Sequence, residues 1–240
     1  MPIFFASQAL KEFVEACGAT YSRDWSEVRS LVWAQAQPVN RFLPRSHQDV
    51  THVVAAVDEA GRARRTMKYM CALLTGKWVV SPAWTQACAA SQSAAPEEAH
   101  EARGDERGGS PGAAAAHRQR LGRVGSRIFE GLKMHLTGDF TSISRAELEQ
   151  LVTLGGGRML RHAPSPPSPG KVLDPGLRVI CEGPPPGGAP QAQPAGRGGR
   201  ASAVEAAMLA TGAPALAHYW VFDSVTKAAL QPTEAYHLKA

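Results

Sequence analysis

Basic residues surround a threonine at the start of a predicted helix, in the sequence "RRTMK" from Arg64 to Lys68. Thr66 suits the N-cap position of a helix that we expect over residues 67–75. The first amides of a helix have no partners within it and carry partial positive charge, so basic side chains there cost about 0.3–1 kcal/mol. A bound phosphate would reverse the sign of that interaction, with Lys68 close enough to add a full charge. The residues alone leave two interpretations open: a phosphate site, or surface charges that face solvent.

The composition is that of a chain with folded parts and Pro/Gly-rich parts. The chain has 240 residues, of which 44% are hydrophobic. This is enough for one large domain or two of about 100 residues each. The 23 glycines and 18 prolines are unevenly spread, which indicates that some segments are not folded. The net charge of +5 favours an anionic partner slightly without requiring nucleic acid.

The cysteines and the apolar segments exclude several classes of protein. Cys17, Cys71, Cys88 and Cys181 form no CxxC pair, and the eight histidines do not cluster near them. We therefore expect no zinc site, no disulfide framework and a reducing compartment. No apolar run approaches the length of a membrane span, and the N-terminus lacks the pattern of a secretory signal. We expect no metal, no cofactor and no membrane contact.

Three segments have the composition of linkers or insertions. Residues 91–124 are rich in Ala, Gly and mixed charge without an apolar period, and residues 163–201 are rich in Pro and Gly. Within the second segment, "LRVICEG" is apolar enough for a strand. We expect a first domain at 1–92 with an insertion at about 24–48, a flexible linker at 93–124, and a second domain at 125–240 with an insertion at about 163–201.

The remaining sequence contains a repeated pattern. Gly76 and Trp84 stand eight residues apart, and so do Gly212 and Trp220. Upstream of each pair, "LKEFVEACGAT" and "LEQLVTLGGGR" both have the pattern of a short amphipathic helix that ends at glycine. Two copies of one module would explain these correspondences, so we expect a duplication.

Each module alternates strands with helices. In the first module we expect strands in "IFFA", "TYS", "THVVAA" and "WVVS", and helices at 8–17, 66–75 and 82–90. The second module opens with a strand in "LKMHLTG", continues with a helix at 144–154 and ends in "HYWVFDSVTKAAL". Strands that alternate with helices favour a parallel sheet with helices on its faces, which is an α/β fold.

Two stretches carry a resemblance to a known family. The segment "RTMKYMCALLTGKWVVSPAWTQAC" and the later "RIFEGLKMHLTGDFTSISRAELEQLVTLGGGRML" resemble tandem BRCT repeats. The resemblance is to the repeats of the breast-cancer susceptibility protein and its RING-domain partner, including their plant relatives. It covers residues 50–91 and 127–161 well and residues 212–235 moderately. It implies two tandem BRCT repeats, each a four-stranded parallel sheet flanked by helices, packed head to tail.

The resemblance also implies a function. It implies a phosphoserine-peptide-binding module, with the peptide in the cleft between the repeats, in a nuclear protein of DNA-damage signalling and double-strand break repair by homologous recombination. The partners would be phosphorylated proteins with a pSer-x-x-Phe-like motif, and a RING-domain protein bound through other regions. The chain itself would have no enzymatic activity, although ubiquitin-ligase activity elsewhere in a longer protein is compatible with it. The alternative is a BRCT scaffold that binds protein partners or DNA ends without recognising phosphate.

The resemblance assigns the phosphate contacts to particular residues. Lys68 falls on the phosphate-binding lysine of the family, and Thr66 lies beside it. Arg65 matches the arginine whose main chain contacts the third residue after the phosphoserine. Ser7 follows the apolar "IFFA" and takes the position of a phosphate-binding serine, but Gln8 stands where the family has glycine.

The same resemblance assigns an apolar pocket for the third residue after the phosphoserine. Met70 in the first repeat and Ile143 and Phe222 in the second should line it. Interdomain core is the alternative role of these three residues, since core is equally apolar.

Other conspicuous residues have structural explanations. We expect Trp78, Trp84 and Trp220 in the core and His52 as a hydrogen-bonded structural histidine. The "GGG" at 155–157 has the pattern of a helix C-cap and tight turn rather than a nucleotide loop. No Ser/His/Asp set or pair of carboxylates indicates an active site.

Overall fold

The computed structural model describes residues 50–91, 93–168, 172–186, 204–206 and 208–238. Ser7, Gln8, the first three predicted elements and the insertion at about 24–48 lie outside these residues. The chain divides between Gly122 and Arg123 into two compact units.

The described part of the first unit contains two parallel strands joined through a helix. Strand β1 (His52–Val54) pairs with β2 (Trp78–Val80), with Val53 opposite Val79. Helix α1 (Met67–Leu74) connects them, and helix α2 (Pro82–Ser91) follows β2. The turn after α1 requires a left-handed residue, which Gly76 supplies with a φ of 67°. These elements confirm the predicted strand–helix–strand–helix order.

Trp84 of α2 lies at the centre of the core of this unit. It is 3% exposed and packs with Val80, Cys88 and Ala95. Its indole N–H donates to the carbonyl of Ala95, eleven residues later, at 2.9 Å. An indole buried in this way adds a hydrogen bond to its apolar contacts, so it fixes the segment after α2 as well as the sheet.

His52 has the structural role that we predicted for it. Its ring stacks on Trp84 with centroids 4.5 Å apart. One ring nitrogen hydrogen-bonds the Thr51 hydroxyl at 2.8 Å, and the other contacts a Glu97 carboxylate oxygen at 3.0 Å. Burial lowers the pKa of His52, and the bond to Glu97 opposes this shift only in part.

The predicted flexible linker contains regular structure, so that expectation needs correction. A 3₁₀ turn occupies Glu98–His100, and helix α3 spans Ala113–Val124. The backbone N–H of Ala102 donates to the carbonyl of Val79 at 2.8 Å, which adds this segment to β2. Composition suggested a linker because the segment lacks an apolar period. Its order depends instead on backbone hydrogen bonds and ion pairs with distant residues.

Helix α3 packs within the first unit through a cation–π contact. The guanidinium of Arg118 lies 3.5 Å from the ring centroid of Trp78 and pairs with Glu101. Trp78 is therefore partly buried beneath a charged group, next to the Trp84 core rather than wholly inside it.

The second unit contains a four-stranded parallel sheet. Its strands are β3 (Lys133–Leu136), β4 (Arg158–Met159), β5 (Leu177–Cys181) and β6 (Ala215–Ala217), in the order β4–β3–β5–β6. Helix α4 (Arg145–Leu154) connects β3 to β4, and helix α5 (Tyr219–Thr226) follows β6. The strand predicted in "LRVICEG" is thus confirmed, and it lies inside the sheet. The range given for the second insertion therefore includes an integral strand.

The turns of this unit also match the sequence pattern. Ser144 caps α4 in a capping box with Glu147, and Gly155 is the C-cap, followed by Gly156 with a φ of 84°. A Cβ on Gly155 would lie 2.2 Å from the ring of Phe129, so no larger residue fits there. The predicted C-cap and tight turn at the "GGG" are confirmed.

The repeated Gly–Trp pattern has the same geometry in both units. Gly212 has a φ of 66°, close to that of Gly76. Trp220 is 0% exposed, and its indole N–H donates to the Gln231 carbonyl, eleven residues later, at 2.8 Å. The spacing of eight residues therefore marks one local design, in which a left-handed turn leads to a strand and then to a buried indole.

Candidate functional site

The start of α1 is built as the sequence predicted. Thr66 has extended backbone angles, φ −112° and ψ 165°, and its side-chain oxygen accepts the N–H of Tyr69 at 3.2 Å. No acidic residue lies in the first turn, and Thr66 and Lys68 are both exposed. The predicted N-cap is confirmed. Because the Thr66 oxygen accepts the cap bond, its O–H can still donate to an anion.

Three groups converge at this helix start that suit a phosphate. They are the amides at the start of the helix, the threonine hydroxyl and the lysine ammonium. Ser7, the fourth predicted contact, lies outside the described residues. The roles of Thr66, Lys68 and Ser7 toward phosphate stay predictions.

Arg65 differs from its basic neighbours because its side chain is buried. The side chain is 4% exposed, and its guanidinium donates to Asp105 Oδ1 at 3.1 Å and to the Arg107 carbonyl at 3.2 Å. Its charge therefore belongs to an internal ion pair instead of the surface cluster that "RRTMK" suggested. The role that the resemblance gives Arg65 concerns its main chain and stays a prediction.

Asp105 is a residue of this site that sequence reasoning missed. Its side chain is 0% exposed, and its Oδ1 also accepts the N–H of Arg107 at 2.7 Å. The backbone around it runs beside the approach to α1: Ala63 N–H donates to the Gly104 carbonyl and Glu106 N–H to the Ala63 carbonyl, both at 3.0 Å. In the sequence Asp105 is one charge among many in a segment of mixed charge, so no local signal marks it.

Tyr69 shows the electrostatic effect of this buried charge. Burial raises the pKa of its phenol far above the usual value, and the nearby Asp105 carboxylate raises it further. Tyr69 therefore stays neutral beneath the first turn of α1.

The three residues assigned to an apolar pocket lie in different units. Met70, in α1, is 4% exposed. Ile143 directly precedes the N-cap of α4 and is partly exposed, and Phe222 of α5 is 9% exposed. Met70 and Phe222 are buried in helices of their own units, and Ile143 lies at the start of one. The pocket that the three residues would share stays a prediction.

In the second unit, a hydrogen-bonded network lies beside Ile143 and Phe222. Glu182 accepts the N–H groups of Thr141 at 2.7 Å and Ser142 at 2.8 Å. Ser142 Oγ lies 3.3 Å from His218 Nε2. The His218 ring in turn meets Phe222 edge-on, with centroids 5.1 Å apart. Sequence reasoning missed Glu182 and His218, because their partners are distant in the chain.

Charge and hydrogen bonding in this network hold the backbone at Thr141 and Ser142 in place. Burial acts to raise the pKa of Glu182, but hydrogen bonds from Ser142 and Thr141 outweigh it and hold the pKa below its usual value. His218 Nδ1 accepts the N–H of Gly183 at 3.3 Å, so the neutral ring carries its proton on Nε2, facing Ser142. In that tautomer His218 cannot take a proton from Ser142, and the pair is not arranged as a nucleophile and base.

The described part of the chain contains neither a membrane-spanning helix nor a metal-binding cluster. No described helix combines the length and apolarity that crossing a membrane needs. Across the same residues, no three His, Cys, Asp or Glu side chains are grouped so that they could hold a metal ion.

Comparison with known proteins tests the predicted family resemblance. Residues 4–89 match the BRCA1 C Terminus (BRCT) domain. The predicted family resemblance is confirmed. The α/β architecture with parallel strands agrees with this match, which covers β1, α1, β2 and α2 up to residue 89.

Similar curated proteins carry related names. The chain is 31% identical over 228 residues to the Arabidopsis thaliana "BRCA1-associated RING domain protein 1", covering 92% of this chain and 31% of that protein. It is 31% identical over 148 residues to the Arabidopsis thaliana "Protein BREAST CANCER SUSCEPTIBILITY 1 homolog", covering 62% of this chain and 13% of that protein. The chain thus spans less than a third of either relative's length.

Among solved structures, the chain is similar to that of the S. pombe Brc1 BRCT5-BRCT6 domains. The identity is 16%, the TM-score is 0.48, and the match covers 76% of this chain and 80% of the other.

Proposed function

We propose that this chain is a phosphoserine-peptide-binding tandem BRCT module. In this proposal the phosphate binds at the start of α1, held by Thr66, Lys68 and Ser7. The main chain of Arg65 contacts the third residue after the phosphoserine, whose side chain enters a pocket lined by Met70, Ile143 and Phe222.

The observation that carries the proposal is the chemistry of the α1 start. Its first turn has no acidic residue, and an exposed hydroxyl and an exposed ammonium flank the helix amides. Basic charge near a helix N-terminus interacts unfavourably with the helix dipole, and an anion bound there reverses the sign of that interaction. Phosphate, with three acceptor oxygens and about two negative charges, suits such a site.

The tandem arrangement is supported by the two units. Each has a left-handed glycine before a strand and a buried tryptophan that bonds a carbonyl eleven residues later. The second unit has the four-stranded parallel sheet that a complete repeat requires. We include in the proposal that the two repeats pack head to tail.

The test is a calorimetric titration with a pSer-x-x-Phe peptide and its unphosphorylated twin. We expect the phosphorylated peptide to bind about 10–100-fold more tightly, since hydrogen bonds to charged groups contribute about 1.5–3 kcal/mol. Lys68→Met should remove most of that preference. Lys77→Met is the matched control. It removes the same charge beyond the C-terminal end of α1, a helix of 8 residues that is about 12 Å long.

A second function has one specific observation in its favour. Gln8 stands where the family has a phosphate-binding glycine. A scaffold that holds protein partners or DNA ends without recognising phosphate would tolerate this change. Equal affinity of the unaltered protein for both peptides would exclude phosphate recognition and favour the scaffold. A steep salt dependence of duplex binding would then indicate DNA as the ligand.

The names of the relatives support a proposal about the cellular setting. We propose that the chain is part of a nuclear DNA-damage response and repair protein with phosphorylated protein partners. A RING-domain partner would bind through regions beyond this module. We also propose that the module has no catalytic activity of its own.

A further inference from the structure

The approach to α1 is held by a segment that lies forty residues later in the chain. Arg103 N–H donates to the Gly61 carbonyl at 2.8 Å, and further backbone hydrogen bonds join Ala63 to Gly104 and Glu106. The backbone at Gly61 and Ala63 is therefore hydrogen-bonded to the backbone of the segment from Arg103 to Glu106. This pairing fixes the backbone that leads into Thr66.

The last link of that pairing is the ion pair between Arg65 and Asp105. Arg65 directly precedes Thr66, and its guanidinium is held both by Asp105 Oδ1 and by the Arg107 carbonyl. Asp105 Oδ1 also closes its own turn through the Arg107 N–H. One carboxylate oxygen thus fixes the side chain of Arg65 and the loop that surrounds it.

The second oxygen of Asp105 is confined without a hydrogen bond. Asp105 Oδ2 is buried and has no partner among the described residues. A Cβ on Gly109 would lie 2.2 Å from this oxygen, so the carboxylate fills the space that glycine leaves open. The carboxylate can therefore neither rotate toward solvent nor exchange Arg65 for another donor at low cost.

We propose that Asp105 is a positioning residue for peptide recognition: through Arg65 it fixes the main chain that contacts the third residue after the phosphoserine. This inference rests on the proposed function. It separates two tasks at the helix start. Thr66 and Lys68 recognise the phosphate, whereas Asp105 sets the preference for the residue three positions later.

Because the two tasks are separate, substituting Asp105 should change the preference for the third residue without changing the preference for phosphate. A merely structural residue would not have this effect. Asp105→Asn keeps the size of the side chain but removes its charge. We expect it to weaken pSer-x-x-Phe binding about tenfold, because the acceptor that holds Arg65 loses its charge and a neutral hydrogen bond is weaker than a charge-assisted one. The affinity ratio between pSer-x-x-Phe and pSer-x-x-Ala should fall toward one, because a displaced main chain no longer holds the third residue where its side chain can enter the pocket. The ratio between phosphorylated and unphosphorylated peptides should stay near that of the unaltered protein.

Two further variants of the full chain complete the experiment. Glu101→Gln is the matched control, because it neutralises a carboxylate of the same segment that pairs with Arg118 instead of Arg65. It should leave the Phe-to-Ala ratio unchanged. Gly109→Ala keeps the charge of Asp105 but displaces the carboxylate, and it should reproduce the loss seen with Asp105→Asn. This variant decides the question if Asp105→Asn does not fold.

The outcomes distinguish this inference from the function on which it rests. If the unaltered protein does not prefer phosphorylated peptide, the proposed function fails and the inference with it. If that preference exists and both Asp105→Asn and Gly109→Ala retain the full Phe-to-Ala ratio, the inference alone is wrong. An equal fold-loss of affinity for every peptide, whether it carries phosphate or not and whether its third residue is Phe or Ala, would also overturn the inference. Such a result would show that Asp105 has a structural role only.

Discussion

Removing the hydroxyl of Thr66 tests the cap on which the candidate site depends. Thr66 is exposed, so Thr66→Ala creates no cavity, and the change in stability reduces to the cap bond to Tyr69 N–H. Loss of a threonine cap costs about 1 kcal/mol. With an unfolding entropy of about 2.1 cal/mol/K per residue over a unit of 122 residues, the melting temperature should fall by about 4 °C. Thr66→Ser keeps the acceptor oxygen and should melt close to the unaltered protein.

The assay is thermal denaturation followed by circular dichroism, with both variants beside the unaltered protein. Peptide titrations on the same samples separate the two roles of the hydroxyl. Alanine should also weaken phosphopeptide binding, and serine should preserve it. Equal melting temperatures for the alanine and serine variants would refute the cap. A lower melting temperature with unchanged phosphopeptide affinity would keep the cap and remove Thr66 from the phosphate site.

Two more predictions concern stability. Burial lowers the pKa of His52 below its ordinary 6.5, so the unfolded chain binds that proton first and the free energy of unfolding should fall as the pH drops below about 6.5. His52→Gln should reduce the difference between urea denaturation at about pH 7.5 and about pH 5.5, and an unchanged difference would exclude His52 as its source. Trp84→Phe and Trp220→Phe leave the Ala95 and Gln231 carbonyls without their indole donors and should each cost about 1–3 kcal/mol in urea denaturation. A smaller cost in either unit would show that the spacing of eleven residues has no energetic role there.

The secondary structure of the module could be predicted wherever local rules act. The cap at Thr66, the capping box at Ser144 and the glycine turn at Gly155 all depend on residues within one helical turn. The spacing of Gly76 and Trp84 was informative because a left-handed turn and a buried indole each require a particular residue type. Even β5 could be found inside a Pro/Gly-rich segment, since a short apolar run between turn residues favours a buried strand.

The segment 93–124 could not be predicted because its order comes from distant partners. It has few apolar residues, so no periodic pattern marks its 3₁₀ turn or α3. Its structure depends on backbone pairing with Val79 and Ala63 and on the contact of Arg118 with Trp78. Such contacts leave no local signal, since a charged residue in a loop has the same sequence context whether it faces solvent or a distant partner.

The charges of "RRTMK" show how contacts with distant residues also affect the candidate site. Counted along the sequence, Arg64, Arg65 and Lys68 form one basic cluster. In the fold, Asp105 takes Arg65 out of that cluster, forty positions away in the chain, while Arg64 and Lys68 stay exposed. An anion at the start of α1 would therefore meet the helix amides and the exposed cations, because the third cation is already neutralised. The neutralised residue still matters for recognition, since a guanidinium held on two sides fixes the backbone beside the N-cap before any ligand arrives, and a preorganised backbone loses less entropy on binding.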